Sequence, residues 1–135
     1  MSDNRNVRRN HSNMNTERRQ FRRFLADDRS FACLRPHFGK LGKIKDISRG
    51  GLAFEYIFGK GCEEESSAID IFLSGDRFYL PKMPCRVVND LQIGEDLTSI
   101  SNFQVRRCGV KFGQLTEEQE RKLKLFLNTY STGTA

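Results

Sequence analysis

An all-β domain, an antiparallel barrel or sandwich with one helix at its C-terminal end, is the fold class this sequence predicts. Three observations carry that prediction. After residue 29 the apolar residues recur in short runs, most of them with a period of two. The stretches between those runs are Gly-rich or acidic and read as loops, so the strands join as hairpins and a parallel doubly wound sheet is excluded. One segment alone, near the C-terminus, has helical spacing. A length of 135 residues fits a single domain with a modest core.

In chain order, residues 1–16 are rich in Asn, Ser and Arg and hold one Val and two Met. They can bury too little apolar surface to repay their ordering entropy, and are expected to be a disordered basic arm. The folded domain is expected over 17–130, with 131–135 as a tail. Ser30–Arg35 alternates into Pro36. Residues 41–47 place Leu41, Ile44 and Ile47 less regularly. Leu52, Phe54 and Tyr56 share one face of a strand, and Ile69, Ile71 and Leu73 share one face of the next. Phe78–Leu80 is a short piece, and Met83–Val88 continues to Leu91. In 103–112 the alternation runs through Phe103 and Val105, then Cys108, Val110 and Phe112. That one-residue slip predicts a bulge near Arg106 and Arg107. The helix is expected over about 116–130. Thr116 and Gln119 have capping-box spacing, Glu117, Glu118 and Glu120 fill the first turn, and Leu123, Phe126, Leu127 and Tyr130 form an apolar stripe. Leu125 lies off that stripe, where a dimer contact would fall.

Charge and cysteine usage narrow the function. The net charge is +6. Residues 1–24 hold seven arginines against Asp3 and Glu17, a local balance of +5, whereas 25–135 hold 16 basic and 15 acidic groups, a balance of +1. A basic arm on a near-neutral body implies an anionic partner gripped by that arm. Residues 1–15 fit a solvated tail, but Phe21 and Phe24 interleave with the nearby arginines and can anchor them to the body. The four cysteines, at 33, 62, 85 and 108, have no metal-ligand spacing, and three sit in apolar surroundings, which fits small buried hydrophobes in a reducing compartment. No apolar run is long enough for a membrane span, and the polar N-terminus has no secretory h-region, so the expected location is the cytoplasm. Ser48 has no nucleophile elbow, and no paired carboxylates or metal cluster suggest catalysis, so an enzyme is not expected.

Two short motifs carry the chemistry. Glu17–Phe24 contains Arg-x-x-x-Arg as Arg19 and Arg23, with Arg18 immediately before it and Arg22 within it. Residues 46–51 read Asp-x-Ser-x-x-Gly, with Asp46, Ser48, Arg49, Gly50 and Gly51. A guanidinium fork matches phosphate oxygens and also the O6/N7 edge of guanine, and its flat face stacks on a base. Asp46 can accept from guanine N1–H and N2–H. Ser48 can bond a phosphate or ribose oxygen, and Gly50 and Gly51 allow close backbone approach and positive φ. The pair suits a ligand that bears both phosphates and guanine edges. The second motif also fits a plain turn in which Asp46 and Ser48 cap backbone amides.

In this order and at this separation, the two motifs resemble the PilZ domain, the bacterial receptor for cyclic di-GMP. Arg107–Phe112, with its Gly-Val-x-Phe, resembles the family's late strand, and the helix beginning Leu115-Thr116-Glu117-Glu118 resembles its closing helix. The likeness spans about 17–130 and leaves no effector domain over, as in a stand-alone single-domain type. It implies a six-stranded antiparallel barrel whose arginine arm folds over cyclic di-GMP on the outer surface, with no other cofactor. The implied ligand residues are Arg18, Arg19, Arg23, Asp46, Ser48, Gly50 and Gly51, with Arg22, Arg49 and Arg107 as further candidates. The surplus of arginines favours an intercalated pair of nucleotides per protomer, and the ordered arm would then signal to a downstream protein. Two alternatives stay open: a degenerate PilZ-like interaction module that binds no nucleotide, and a small nucleic-acid-binding barrel, which the near-neutral body disfavours.

Overall fold

The computed structural model describes residues 21–35, 40–59, 66–75, 77–93 and 104–134. Among the described residues, eight strands and one helix follow in order: β1 Phe24–Ala26, β2 Ser30–Arg35, β3 Leu41–Ile47, β4 Gly51–Phe58, β5 Ala68–Leu73, β6 Tyr79–Gln92, β7 Gln104–Phe112, α1 Glu117–Tyr130 and β8 Ser131–Thr134. They form one antiparallel sheet in the order β2-β5-β6-β7-β4-β3-β1-β8. An additional pairing of β2 with β3 closes the six central strands into a barrel. The disordered arm expected at 1–16, and the motif residues Arg18 and Arg19, lie outside the described residues.

Alternation builds the interior. Leu34, Ile47, Leu52, Phe54, Ile69, Ile71, Leu80, Met83 and Cys108 are fully buried or nearly so. Thr116 caps α1 with the expected reciprocal box: its hydroxyl accepts from Gln119 N–H at 3.1 Å and its N–H donates to Gln119 Oε1 at 3.0 Å. The apolar stripe of α1 buries Leu123, Phe126 and Leu127 against the barrel. Phe78, Phe126 and Tyr130 meet there with ring centroids 5.2–5.7 Å apart. Leu125 is exposed, as its position off the stripe requires.

The far end of β4 is closed by polar groups. The Tyr56 hydroxyl donates to the Asp90 carboxylate at 2.7 Å, and Lys40 Nζ reaches Asp90 at 3.2 Å. Burial of that ring and the adjacent carboxylate push the Tyr56 pKa strongly upward. Cys33, Cys85 and Cys108 are free and buried. Burial pushes the Cys85 thiol up to about 11 and, with the help of Asp90, the Cys108 thiol up to about 12.

Three details differ from the sequence reading. The strand at 104–112 has no bulge near Arg106 and Arg107; it pairs with β4 without interruption from Gly51↔Lys111 to Phe58↔Gln104. The extra residue belongs to its other neighbour, β6, at Val88. Val105 is therefore exposed on the outer face, and Arg106 turns inward to lie 3.9 Å above the Phe58 ring at the barrel mouth. The short piece at 78–80 and the run from 83 are one strand, with Lys82 at φ 56° where the chain bends. Residues 131–134, read as tail, form β8 on the outer edge of β1.

Candidate functional site

The site grows from one edge of the barrel. Antiparallel pairing sets Phe24 opposite Ile47 and Leu25 opposite Asp46. Arg23 leaves the start of β1 at the level of Ser48, and its guanidinium reaches back to the Asp46 carboxylate in a direct ion pair. The Arg23 side chain is 45% exposed and that of Asp46 22%. A pair this open contributes about 0–1 kcal/mol, so ligand groups can replace it at little cost.

The turn between β3 and β4 braces itself. Ser48 N–H donates to Gly51 O at 2.8 Å, the Ser48 hydroxyl accepts from Gly50 N–H at 3.1 Å, and the same hydroxyl lies 3.3 Å from Gly51 O. Ser48 is 3% exposed. Its hydroxyl shapes the turn from within rather than facing solvent, which is the capping arrangement that the motif's spacing also allows. Gly50 O accepts from Phe112 N–H at 2.9 Å and fixes the turn to β7.

Both glycines are required by space and not, as expected, by conformation: positive φ among described glycines occurs at Gly75 and Gly133. A Cβ at Gly51 would lie 2.1 Å from Val110 O, and one at Gly50 would lie 2.6 Å from the Phe21 ring. Phe21 is thus the anchor of the arginine segment. It packs on Gly50, and the Arg49 guanidinium sits 5.6 Å from its ring centroid. Leu115, Glu120, Leu123 and Lys124 of the helical region complete a small open cleft around Phe21 and Arg49.

The outer surface beside the turn carries little side-chain bulk. Between the core positions Leu52, Phe54, Cys108 and Val110, the outward positions are Ala53 and Gly109, paired with each other and with Asp46 and Asn89 on the flanking strands. The Asn89 side chain lies over Gly109 and accepts its N–H at 3.0 Å. One step along, Arg107 is held by Glu55 at 2.7 Å, with Lys45 at 3.8 Å from the same carboxylate. The structure thus brings Arg23, Asp46, Ser48, Gly50 and Gly51 together. Arg22 is exposed, Arg49 is turned to Phe21, and Arg107 stands on the same outer face, committed to Glu55. Sequence reading missed Asn89, which has no motif around it.

The sequence model of the PilZ domain matches residues 17–129. The chain belongs to the PilZ domain family. This PilZ domain shares its fold with three solved structures, each at low identity. One is titled the PilZ domain with c-di-GMP of YcgR from Escherichia coli: 15% identity, TM-score 0.59, covering 82% of this chain and 90% of that one. Another is YcgR in complex with c-di-GMP from Escherichia coli: 15% identity, TM-score 0.57, covering 83% and 45%. The third is MrkH, described as a c-di-GMP-dependent transcription regulatory factor: 18% identity, TM-score 0.52, covering 78% and 48%. The present chain spans about half the length of the YcgR complex chain and of MrkH. No curated protein sequence matches it. Among the described residues of this PilZ domain no cluster of His, Cys, Asp and Glu is placed to hold a metal ion, and no helix is long and apolar enough to cross a membrane.

Proposed function

We propose that this PilZ domain is a receptor for cyclic di-GMP that closes its N-terminal arginine segment over the nucleotide and presents the combined surface to a protein partner. The observation that supports it most is the convergence of Arg23 and Asp46 beside an outward surface of Ala53 and Gly109. In this reading Asp46 accepts guanine N1–H and N2–H, while Arg23, with Arg18 and Arg19 before it, grips phosphates or the guanine O6/N7 edge. Ser48, Gly50 and Gly51 act through the shape of the turn. Phe21 keeps the segment seated while the weak Arg23–Asp46 pair is exchanged for ligand contacts. Arg22, Arg49 and Arg107 are reserves of charge that redirect once phosphates arrive. Two intercalated nucleotides bind per protomer, matching four phosphates to the arginine surplus.

Calorimetric titration with cyclic di-GMP tests this. The expected result is two nucleotides per chain and loss of binding in the Arg19→Ala, Arg23→Ala variant. One nucleotide per chain rejects the paired ligand, and no heat at all rejects the receptor. Hydrogen exchange tests the closure step: amides of 17–24 gain protection with nucleotide, and equal protection in both states counts against it.

A further inference from the structure

Across the outer face from Asp46, Arg86 of β6 stands directly opposite Lys111 of β7, and Lys111 stands directly opposite Gly51 of β4. Both side chains are exposed, and both belong to the outward set, since Cys85, Val110 and Phe112 beside them are buried. Like charges facing each other across two strands destabilise a sheet. Elsewhere on this face cations are offset: Arg107 and Lys45 share Glu55, and Arg23 holds Asp46. Among the described residues no carboxylate lies within ion-pair distance of Arg86 or Lys111. The fold keeps an uncompensated repulsion beside the signature turn.

We infer that Arg86 and Lys111 form a second anion seat, which takes a phosphodiester of the bound nucleotide on the side away from the arginine arm. The inference rests on the receptor reading above. At about 4.8 Å per strand, Lys111 is two strand spacings and Arg86 three from Asp46, and both are two residues further along, so they lie roughly 12 and 16 Å away over the sheet. A guanine held at Asp46 by its base edge can therefore direct its phosphate-bearing part diagonally over β4 and β7, past Gly51 and Gly109, towards this pair. The fork of Arg86 and the point charge of Lys111 together suit a phosphodiester, which offers oxygens but no donors. The bulge at Val88 turns both Val88 and Asn89 outward at the same edge, so the β6 side supplies a wall as well as charge. Four bases stacked at about 3.4 Å each fill roughly 14 Å, close to the roughly 16 Å from Asp46 to Arg86.

The test is a cyclic di-GMP titration at two salt concentrations with four proteins: the parent chain, Arg86→Ala/Lys111→Ala, Arg86→Glu/Lys111→Glu, and Arg86→Lys. The double alanine variant is expected to bind about ten- to hundredfold more weakly, with a shallower salt dependence, since charge-assisted bonds are lost. The double glutamate variant binds more weakly still, and Arg86→Lys, which keeps the charge but loses the fork, falls between the parent and the double alanine variant. Relief of the like-charge pair leaves the melting temperature of the alanine variant equal or higher, which separates lost contacts from lost structure. If the parent binds and the alanine variant matches it in affinity and salt dependence, the second seat is overturned while the receptor reading stands. If the parent itself does not bind, the receptor reading fails and the seat falls with it.

Discussion

Gly51 and Gly50 sit one residue apart and do different work. A Cβ at Gly51 would meet a backbone carbonyl, Val110 O, which cannot rotate away, whereas a Cβ at Gly50 would meet the Phe21 ring, which can. Gly51→Ala should therefore destabilise the whole barrel by ~1–3 kcal/mol, the range for overpacking, read as a lower denaturant midpoint. Gly50→Ala should leave that midpoint nearly unchanged and instead unseat Phe21, with a several-fold loss of nucleotide affinity in titration. A drop in midpoint as large as that of Gly51→Ala would contradict this division. Buried thiols give a second prediction at this scale. The folded-state pKa values of Cys85 and Cys108 are raised from an ordinary value of 9.0 to about 11 and about 12. A raised folded value means that the unfolded chain releases its protons first. Their contribution to stability is complete below pH 9 and is lost as pH rises from 9 towards 11–12. Alkylation of these thiols should accordingly be slow in the native protein and should track unfolding, and fast labelling at pH 8 without unfolding would refute it.

Single elements explain what was legible in the chain and what was not. The strands of the barrel were readable because each buries one face, so Leu52, Phe54 and Tyr56, or Ile69, Ile71 and Leu73, announce themselves by period. The helix was readable because Thr116, Gln119 and the apolar stripe are local signals. β1 and β8 were not, since three and four residues with little burial pattern form strands only through pairing with each other and with β3. The slip in β7 misled because Arg106, a charged residue, points inward and stacks on Phe58, reversing the apparent phase. At the site, the motif residues were legible by type, but the aim of Arg23 was not: it depends on the register of the unpredicted β1. That dependence has a consequence. Truncation after Tyr130 removes β8 and leaves the outer edge of β1 unpaired. The barrel core involves none of the removed residues, so the melting temperature should fall by only a few degrees. Nucleotide affinity should fall more than that small change suggests, because β1 frays and Arg23 loses its direction. Equal affinity in the truncated chain would detach β8 from the site.

At the scale of the whole molecule the charge is divided: +5 on residues 1–24 and +1 on the remainder. If the chain is the receptor proposed above, its anionic ligand should be drawn first by the charge of residues 1–24 and only then meet the turn at Asp46–Gly51. Residues 1–16 carry Arg5, Arg8 and Arg9 against Asp3, a balance of +2, and no motif residue lies among them. Deleting 1–16 separates attraction from grip. At low ionic strength the Debye length is about 30 Å, and the shortened chain should associate with cyclic di-GMP a few-fold more slowly; near 1 M salt it falls to about 3 Å and the two rates should converge. Dissociation rates and the number of nucleotides bound should match throughout, because every contacting residue proposed for the ligand is retained. Stopped-flow kinetics at the two salt concentrations read both quantities. A changed dissociation rate would move residues 1–16 from steering into the binding surface itself, and an unchanged association rate at low salt would leave them a solvated tail.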